Sequence, residues 1–220
     1  MAVRVCKFGG SSLATAEQFQ KVRAIIADHP DRRFVVPSAP GRRHDKDAKI
    51  TDLLYLCHAA AAHDIAFDAS FDPIAERYEQ IVEPLDIDLD IHAALQQVRQ
   101  EIAAGASADH VASRGEYLNG LILASLLDVA FVDPADVIHF DARGRFDPDA
   151  TYTMLQSRMK QYDAAVIPGF YGSMPDGSIK TFSRGGSDVT GAIIARGVGA
   201  DVYENWTDVS GLLMADPRII

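Results

Sequence analysis

The sequence has no excess of basic residues, few cysteines and no long apolar segment. Its 220 residues include 21 Lys and Arg against 31 Asp and Glu, which gives a formal net charge of −10 at pH 7. A protein of this charge lacks the cationic surface that binds the phosphate backbone of nucleic acids, so we expect no nucleic acid partner. The charge does not exclude a small anionic ligand, which needs only a local group of donors.

The two cysteines, Cys6 and Cys57, lie far apart and show no CxxC or Cys/His spacing. This pattern is typical of a reduced cytoplasmic protein rather than of a disulfide framework or a zinc site. The seven histidines form no ligand set, and no residue is assigned to a metal. Because the N-terminus lacks a signal-peptide pattern and no apolar run reaches membrane-spanning length, we expect a soluble cytoplasmic protein with no membrane partner.

Strand-like and helix-like segments alternate along the chain, which has 48% hydrophobic residues. The segments VRVCKF (3–8), RFVVPSA (33–39), AAVIPGF (164–170) and ADVYEN (200–205) are typical of strands. Strands that alternate with helices predict an α/β fold, in which a mostly parallel central sheet is covered by helices on both faces. No linker or repeat interrupts the pattern, so we expect a single domain over residues 1–220.

Several local signals refine this prediction. Thr15 with Gln18 forms a plausible capping box for the first helix, and Thr51 or Asp52 is the expected cap of the second. Residues 71–127 are expected to form a long helical tract. The MPDG segment predicts a hairpin, and the charged segment 39–49 is expected to be a mobile surface loop.

Small and polar residues follow the predicted strands, in the segments KFGGSS, PSAPG, PGFYGS and NWTDVSG. In open parallel sheets ligands bind beyond the carboxyl ends of the strands. Gly9 and Gly10 would let backbone amides approach a phosphate group, and Lys7 would supply a positive charge. The alternative is a tight turn beside a solvated lysine. The GxxxxGK[ST] motif is absent, because here the lysine precedes the glycines.

Two further stretches carry polar residues of interest. In SRGGSD, Arg184 stands next to Gly185 and Gly186, where an arginine fork beside bare backbone could hold a carboxylate. Asp188 of the same stretch could act only as an N-terminal acid of a helix. In SRGE, Glu116 lies within an apolar helical tract, either as an acceptor for an ammonium group or as a solvated glutamate.

Taken in order, KFGGSS, SAPGRR…KITDLL, SRGE, GFYGS, RGGSD and TDVSGLLMADPR resemble the motifs of aspartokinases, in the amino acid kinase superfamily, from Lys7 to Arg218. The resemblance implies ATP-dependent phosphorylation of the side-chain carboxylate of L-aspartate to 4-phospho-L-aspartate, with Mg²⁺, as the first step toward lysine, threonine and methionine. It also implies a homodimer. Such a nucleophile has a reference pKa of about 4 and needs no general base.

The resemblance assigns a role to individual residues. Lys7 would neutralise the transferring phosphoryl group, and Asp188 would orient Lys7 and the second lysine of the family's phosphate site. Phosphate oxygens would be held by Gly9, Gly10 and Ser11. The substrate aspartate would be held by Ser38, Thr51, Glu116 (amino group) and Arg184 (α-carboxylate), and the nucleotide by Thr207, Asp208, Asp216 and Arg218. Arg42 and Arg43 would approach substrate or nucleotide when their loop closes.

Aspartokinases normally continue beyond the last matched motif, with a second phosphate-binding lysine and a pair of regulatory ACT domains. The resemblance therefore implies that the chain is the N-terminal catalytic part of a longer enzyme. Two alternatives stay open. One is a sister kinase acting on glutamate, N-acetylglutamate or a nucleoside monophosphate, and the other is a non-catalytic fragment that binds aspartate or a partner subunit.

Overall fold

The structure, a computed structural model, describes residues 2–183 and 185–207. The described strands are β1 (Arg4–Phe8), β2 (Arg32–Pro37), β3 (Ala130–Phe131), β4 (Ala165–Val166), β5 (Tyr171–Ser173), β6 (Ile179–Thr181) and β7 (Val202–Trp206). The described helices are α1 (Ala16–Ala27), α2 (Ile50–Ala61), α3 (Asp68–Val82), α4 (Ile91–Ala103), α5 (Ala108–Leu127), α6 (Pro148–Arg158) and α7 (Gly186–Gly197).

Five of the strands form one parallel sheet in the order β3-β4-β2-β1-β7. Strand β1 lies between β2 and β7, and its Lys7 is level with Val36 and Asn205. Because all the strands run the same way, the segments that follow β1, β2 and β7 leave the sheet at one edge. The remaining strands, β5 and β6, form the antiparallel hairpin predicted from MPDG.

Helices cover both faces of this sheet, as the alternating sequence pattern predicted. On one face, Cys6 and Phe8 of β1 pack in a core with residues of α1 to α5. On the other face, Val5 packs in a second core with residues of α6 and α7. Successive strand side chains point to opposite faces, so Lys7 lies on the same face as Val5, toward α7. The fold class inferred from the sequence is confirmed.

The helical tract expected over residues 71–127 is confirmed. It is divided into three helices, since Pro84 follows α3 and Gly105 adopts a φ of 82° after α4. Side chains of Asp90 and Ser107 cap the helices that restart there. Helix α2 begins at Ile50 after Lys49, so neither Thr51 nor Asp52 is its cap. The cap expected at Thr15 is confirmed, because its hydroxyl accepts from the Gln18 amide.

The loop of residues 39–49 contains no helix or strand, as expected, but it is not entirely a solvated surface loop. Its Asp47 side chain is only 8% exposed and is paired with two arginines. Elsewhere in the described part of the chain, Cys6 and Cys57 are buried and unbridged. None of the helices in residues 2–183 and 185–207 combines the length and apolar character needed to cross a membrane.

Candidate functional site

A cleft of about 970 Å³ opens at the carboxyl edge of the parallel sheet. Its walls come from the segment after β2, the start of α2, the middle of α5, the hairpin and the start of α7. Four residues predicted for the site line it, namely Ser38, Thr51, Glu116 and Asp188. The sheet topology brings these residues together although they span 150 positions of sequence.

Lys7 and Asp188 join the sheet to the cleft. The Lys7 ammonium lies 2.7 Å from Oδ1 of Asp188, and Asn205 donates to the same oxygen at 3.2 Å. The Lys7 side chain is 7% exposed, whereas Asp188 is 51% exposed. The lysine is therefore not the solvated residue of the simpler interpretation. Asp188 lies in the first turn of α7, and it also serves as the partner of a buried cation.

In the glycine turn after β1, Gly9 and Gly10 have different contacts. The Gly9 amide already donates to the carbonyl of Trp206 at 3.0 Å, so it is not free for phosphate. A Cβ on Gly9 would lie 3.6 Å from Nζ of Lys7, which means that Gly9 contributes open space beside the ammonium. Gly10 and Ser11 begin a short 3-10 helix, where first-turn amides lack intrahelical partners. Their predicted phosphate role stays a prediction.

Gly10 has a second reason to lack a side chain. A Cβ there would lie 2.8 Å from the carbonyl oxygen of Ala39 and 2.9 Å from the amide nitrogen of Gly41. The Gly41 amide donates to the Gly10 carbonyl at 2.8 Å. The bare backbone at this position therefore docks the loop after β2 onto the turn after β1.

Glu116 is buried, at 6% exposure, so it is not a solvated helix glutamate. Its Oε2 has no hydrogen-bond partner among the described residues. Burial raises the pKa of this carboxyl to about 8, although hydrogen bonds to the backbone of Ala39 and of its own residue act in the opposite direction. An ammonium group bound in the cleft would supply a positive charge, and that charge would favour the ionised form of Glu116.

Ser38 and Thr51 stand on the wall next to Glu116. The carbonyl of Ser38 accepts a hydrogen bond of 2.7 Å from Asn119, which is fully buried on α5. Thr51 lies in the first turn of α2 and is half-buried. Both residues line the cleft, where their hydroxyl groups could bind a polar ligand.

Of the other predicted site residues, only Thr207 belongs to the part of the chain that the structure describes. Thr207 follows β7 and is exposed, and it is not among the residues that line the cleft. Arg184, Asp208, Asp216 and Arg218 lie outside the described residues. The flanks of Arg184 are described, since Ser183 and Gly185 both line the cleft.

The sequence did not indicate the aromatic residues of the cleft wall or Lys180. Phe170 lines it with a φ of 83°, an unusual conformation for a large side chain. The rings of Phe140 and Phe182 pack beside it, with centroids 4.8 Å apart. Lys180 is tied to Asp109 at 2.8 Å. The GFYGS motif pointed to this wall, but not to its strained residue.

Among the described residues, no three or more His, Cys, Asp or Glu side chains are grouped to hold a metal ion.

The sequence profile described as the amino acid kinase family matches residues 2–220. The chain belongs to the amino acid kinase family. Aspartokinase 3 of Bacillus subtilis is 32% identical over 99% of this chain and 51% of its own length. The resemblance to aspartokinases found in the sequence is thereby confirmed.

Solved structures of amino acid kinases agree with this assignment. The crystal structure of Clostridium acetobutylicum aspartate kinase matches with a TM-score of 0.95 and 56% identity, over 100% of this chain and 51% of that chain. Escherichia coli aspartokinase III, in complex with aspartate and ADP, matches with a TM-score of 0.81 and 26% identity, over 99% and 52%. The chain thus spans about half the length of these relatives.

Proposed function

We propose that the protein transfers the terminal phosphoryl group of ATP to the side-chain carboxylate of L-aspartate. The observation that carries this proposal is a buried ammonium and a buried carboxyl that belong to one cleft. Lys7 lies beside the glycine turn and is ion-paired with Asp188, which lines the cleft. Glu116 lines the same cleft, and its buried Oε2 has no hydrogen-bond partner among the described residues. A ligand that carries an amino group and an anionic reacting group would pair with Glu116 through the amino group and with Lys7 through the anionic group. The aspartate and ADP bound to the Escherichia coli relative support the same pair of ligands.

The chemistry needs few protein groups. A carboxylate oxygen of aspartate attacks the γ-phosphorus, the bond from that phosphorus to the bridging oxygen breaks, and ADP leaves with the electron pair. The nucleophile is already ionised at neutral pH, so no general base is required. The barrier is the approach of one anion to another, which positioning and positive charge lower. Mg²⁺ bound with ATP would neutralise phosphate charge.

We assign roles in accordance with this chemistry. Lys7 neutralises the transferring group, and Asp188 holds Lys7 in place. Gly10 and Ser11 offer amides to phosphate oxygens, while Gly9 leaves room for them. Ser38, Thr51, Glu116 and Arg184 hold the substrate, the latter two through its amino group and α-carboxylate. Thr207, Asp208, Asp216 and Arg218 are assigned to the nucleotide.

We further propose that residues 1–220 belong to the catalytic domain of an aspartokinase, since the matched relatives are about twice as long. The product would enter the synthesis of lysine, threonine and methionine. A cytoplasmic homodimer is the assembly that the resemblance favours.

The experiment uses the protein as its gene encodes it, with ATP, Mg²⁺ and hydroxylamine to trap an acyl phosphate as a hydroxamate. We expect hydroxamate with aspartate, and not with glutamate or N-acetylglutamate, and no transfer to a nucleoside monophosphate. Lys7→Ala and Arg184→Ala should each abolish most of the signal. Transfer to another acceptor, or calorimetric binding of aspartate without binding of ATP, would replace the proposal by one of the two alternatives.

A further inference from the structure

The loop of residues 39–49 is clamped by one buried carboxylate. The Asp47 carboxylate accepts a hydrogen bond of 3.0 Å from Nε of Arg43 and is also ion-paired with Arg77. Arg77 belongs to α3, is 3% exposed, and donates a second bond of 3.0 Å to the carbonyl of Gly41. The two arginines hold the pKa of Asp47 well below its usual range, so the clamp is charged at every physiological pH. We call Arg43, Asp47 and Arg77 the Asp47 clamp.

The clamp separates two adjacent arginines that look equivalent in sequence. Arg43 is turned toward α3. It donates hydrogen bonds to Asp47 of its own loop and, at 2.7 Å, to Gln80 of α3. Arg42 lines the cleft instead. It has no hydrogen bond or ion pair with any residue that the structure describes. The expectation that both arginines approach a ligand when their loop closes stays a prediction. In this structure Arg43 is paired within the clamp, whereas Arg42 lines the cleft and has no partner among the described residues.

The position of Arg42 along the loop indicates which ligand group it would meet. The preceding residue, Gly41, is hydrogen-bonded to Gly10 of the glycine turn at 2.8 Å. Gly9 of that turn lies beside the Lys7 ammonium. Arg42 therefore leaves the loop at the point where the loop meets the turn assigned to phosphate. Arginine forks match the geometry of phosphate oxygens, and they lose little freedom when their backbone is already fixed.

We propose that Arg42 is a further phosphate-binding residue of the cleft, and that the Asp47 clamp acts through it as a positioning device. Arg42 would contact the polyphosphate of the bound nucleotide, and the clamp would hold Gly41 against Gly10 so that Arg42 faces the cleft. This inference rests on the proposed function, because it names a residue for the nucleotide of that reaction.

The first test compares Arg42→Ala with Lys46→Ala, which removes a cation from the same loop outside the cleft. Binding of ATP and of adenosine is measured by calorimetry on the protein as encoded, with steady-state kinetics beside it. We expect Arg42→Ala to weaken ATP binding about 10-fold and to raise the KM for ATP, as loss of a charged hydrogen bond does. Adenosine binding should not change, and Lys46→Ala should behave like the wild type.

Each other result overturns the inference in a recognisable way. Unchanged ATP binding in Arg42→Ala would remove the residue from the phosphate site and leave the proposed function intact. A raised KM for aspartate alone would move Arg42 to the substrate carboxylate. A wild-type protein that binds no nucleotide would overturn the proposed function together with the inference.

The second test asks whether the clamp acts through Arg42. Asp47→Asn keeps the shape of the side chain and weakens its hold on both arginines. We expect this variant to weaken ATP binding less than 10-fold in the wild-type background, and to have no further effect when Arg42 is already alanine. Circular dichroism and thermal unfolding establish that each variant is folded. Equal losses of ATP affinity in both backgrounds would show that the clamp does not act through Arg42.

Discussion

The Lys7 ammonium lies 2.7 Å from the Asp188 carboxylate and thereby joins the end of β1 to the first turn of α7. The two partners are unequally buried, since the Lys7 side chain is 7% exposed and that of Asp188 is 51% exposed. A charge that cannot reach water depends on its partner more than a charge that can. The ion pair should therefore respond differently to the loss of each member.

Replacement of Asp188 should cost more stability than replacement of Lys7. Asp188→Ala leaves a buried ammonium without its ion-pair partner, which we expect to lower the free energy of unfolding by about 1–2 kcal/mol. Lys7→Met keeps the apolar stem and leaves only a half-exposed carboxylate, so its cost should be smaller. Lys7→Met should nevertheless reduce phosphoryl transfer by about 100-fold or more. Denaturant unfolding and the hydroxamate assay measure the two effects, and equal stability losses would contradict the asymmetry.

The stability of the protein should fall as pH rises from about 5 to 8. Burial raises the pKa of Glu116 to about 8 in the folded state from 4.5. Between these values the folded state retains a proton that the unfolded chain has lost, so the free energy of unfolding decreases by up to about 1.4 kcal/mol per pH unit. The effect is absent below pH 4.5 and complete above 8. Glu116→Gln should flatten this slope, as urea unfolding at pH 5, 6.5 and 8 would show.

A control for this slope is Glu76→Gln, which changes an exposed glutamate of α3 and should leave the pH dependence as in the wild type. If Glu116→Gln were to retain the full slope, the raised pKa would belong to another group.

Binding of aspartate should release a proton near pH 7. In the free protein the Glu116 carboxyl, with its pKa of about 8, is mostly protonated, and an ammonium group beside it favours the ionised form. Calorimetry in phosphate and in Tris buffer would detect the release as a difference in apparent enthalpy. Succinate, which lacks the amino group, serves as the control and should release no proton. If the apparent enthalpy of aspartate binding did not depend on the buffer, Glu116 would not be the residue that binds the amino group.

Gly9 and Gly10 should differ when each is replaced by alanine. Gly10→Ala places a Cβ against the backbone of Ala39 and Gly41, so the loop must shift, and we expect a loss of about 1–3 kcal/mol in stability. Gly9→Ala meets no atom closer than 3.6 Å and should fold normally. It should still weaken ATP binding, because its methyl group would occupy the space beside Lys7. Thermal unfolding and calorimetry distinguish the two, and normal ATP binding by Gly9→Ala would remove Gly9 from the phosphate site.

Sequence and structure contributed different parts of the candidate site. The lysine and glycines of KFGGSS were found from the sequence because a cation and bare backbone in one turn are a local pattern. Glu116 was left between two interpretations, since its burial depends on helices that contact α5 from elsewhere in the chain. Phe170 was not assigned a place in the wall, and Arg42 was not distinguished from Arg43, because nothing local indicates which side of a loop meets the cleft.

The sequence by itself determined the order of strands and helices, the family, and the loops that carry polar residues. These depend on hydrophobic periodicity and on motifs that are local in the chain. Only the tertiary structure decided that Gly10 docks on Gly41 and that Asp47 takes Arg43 and leaves Arg42 to the cleft. The reason is physical, because burial and ion pairing are set by groups from distant segments that the folded sheet and its helices bring into contact.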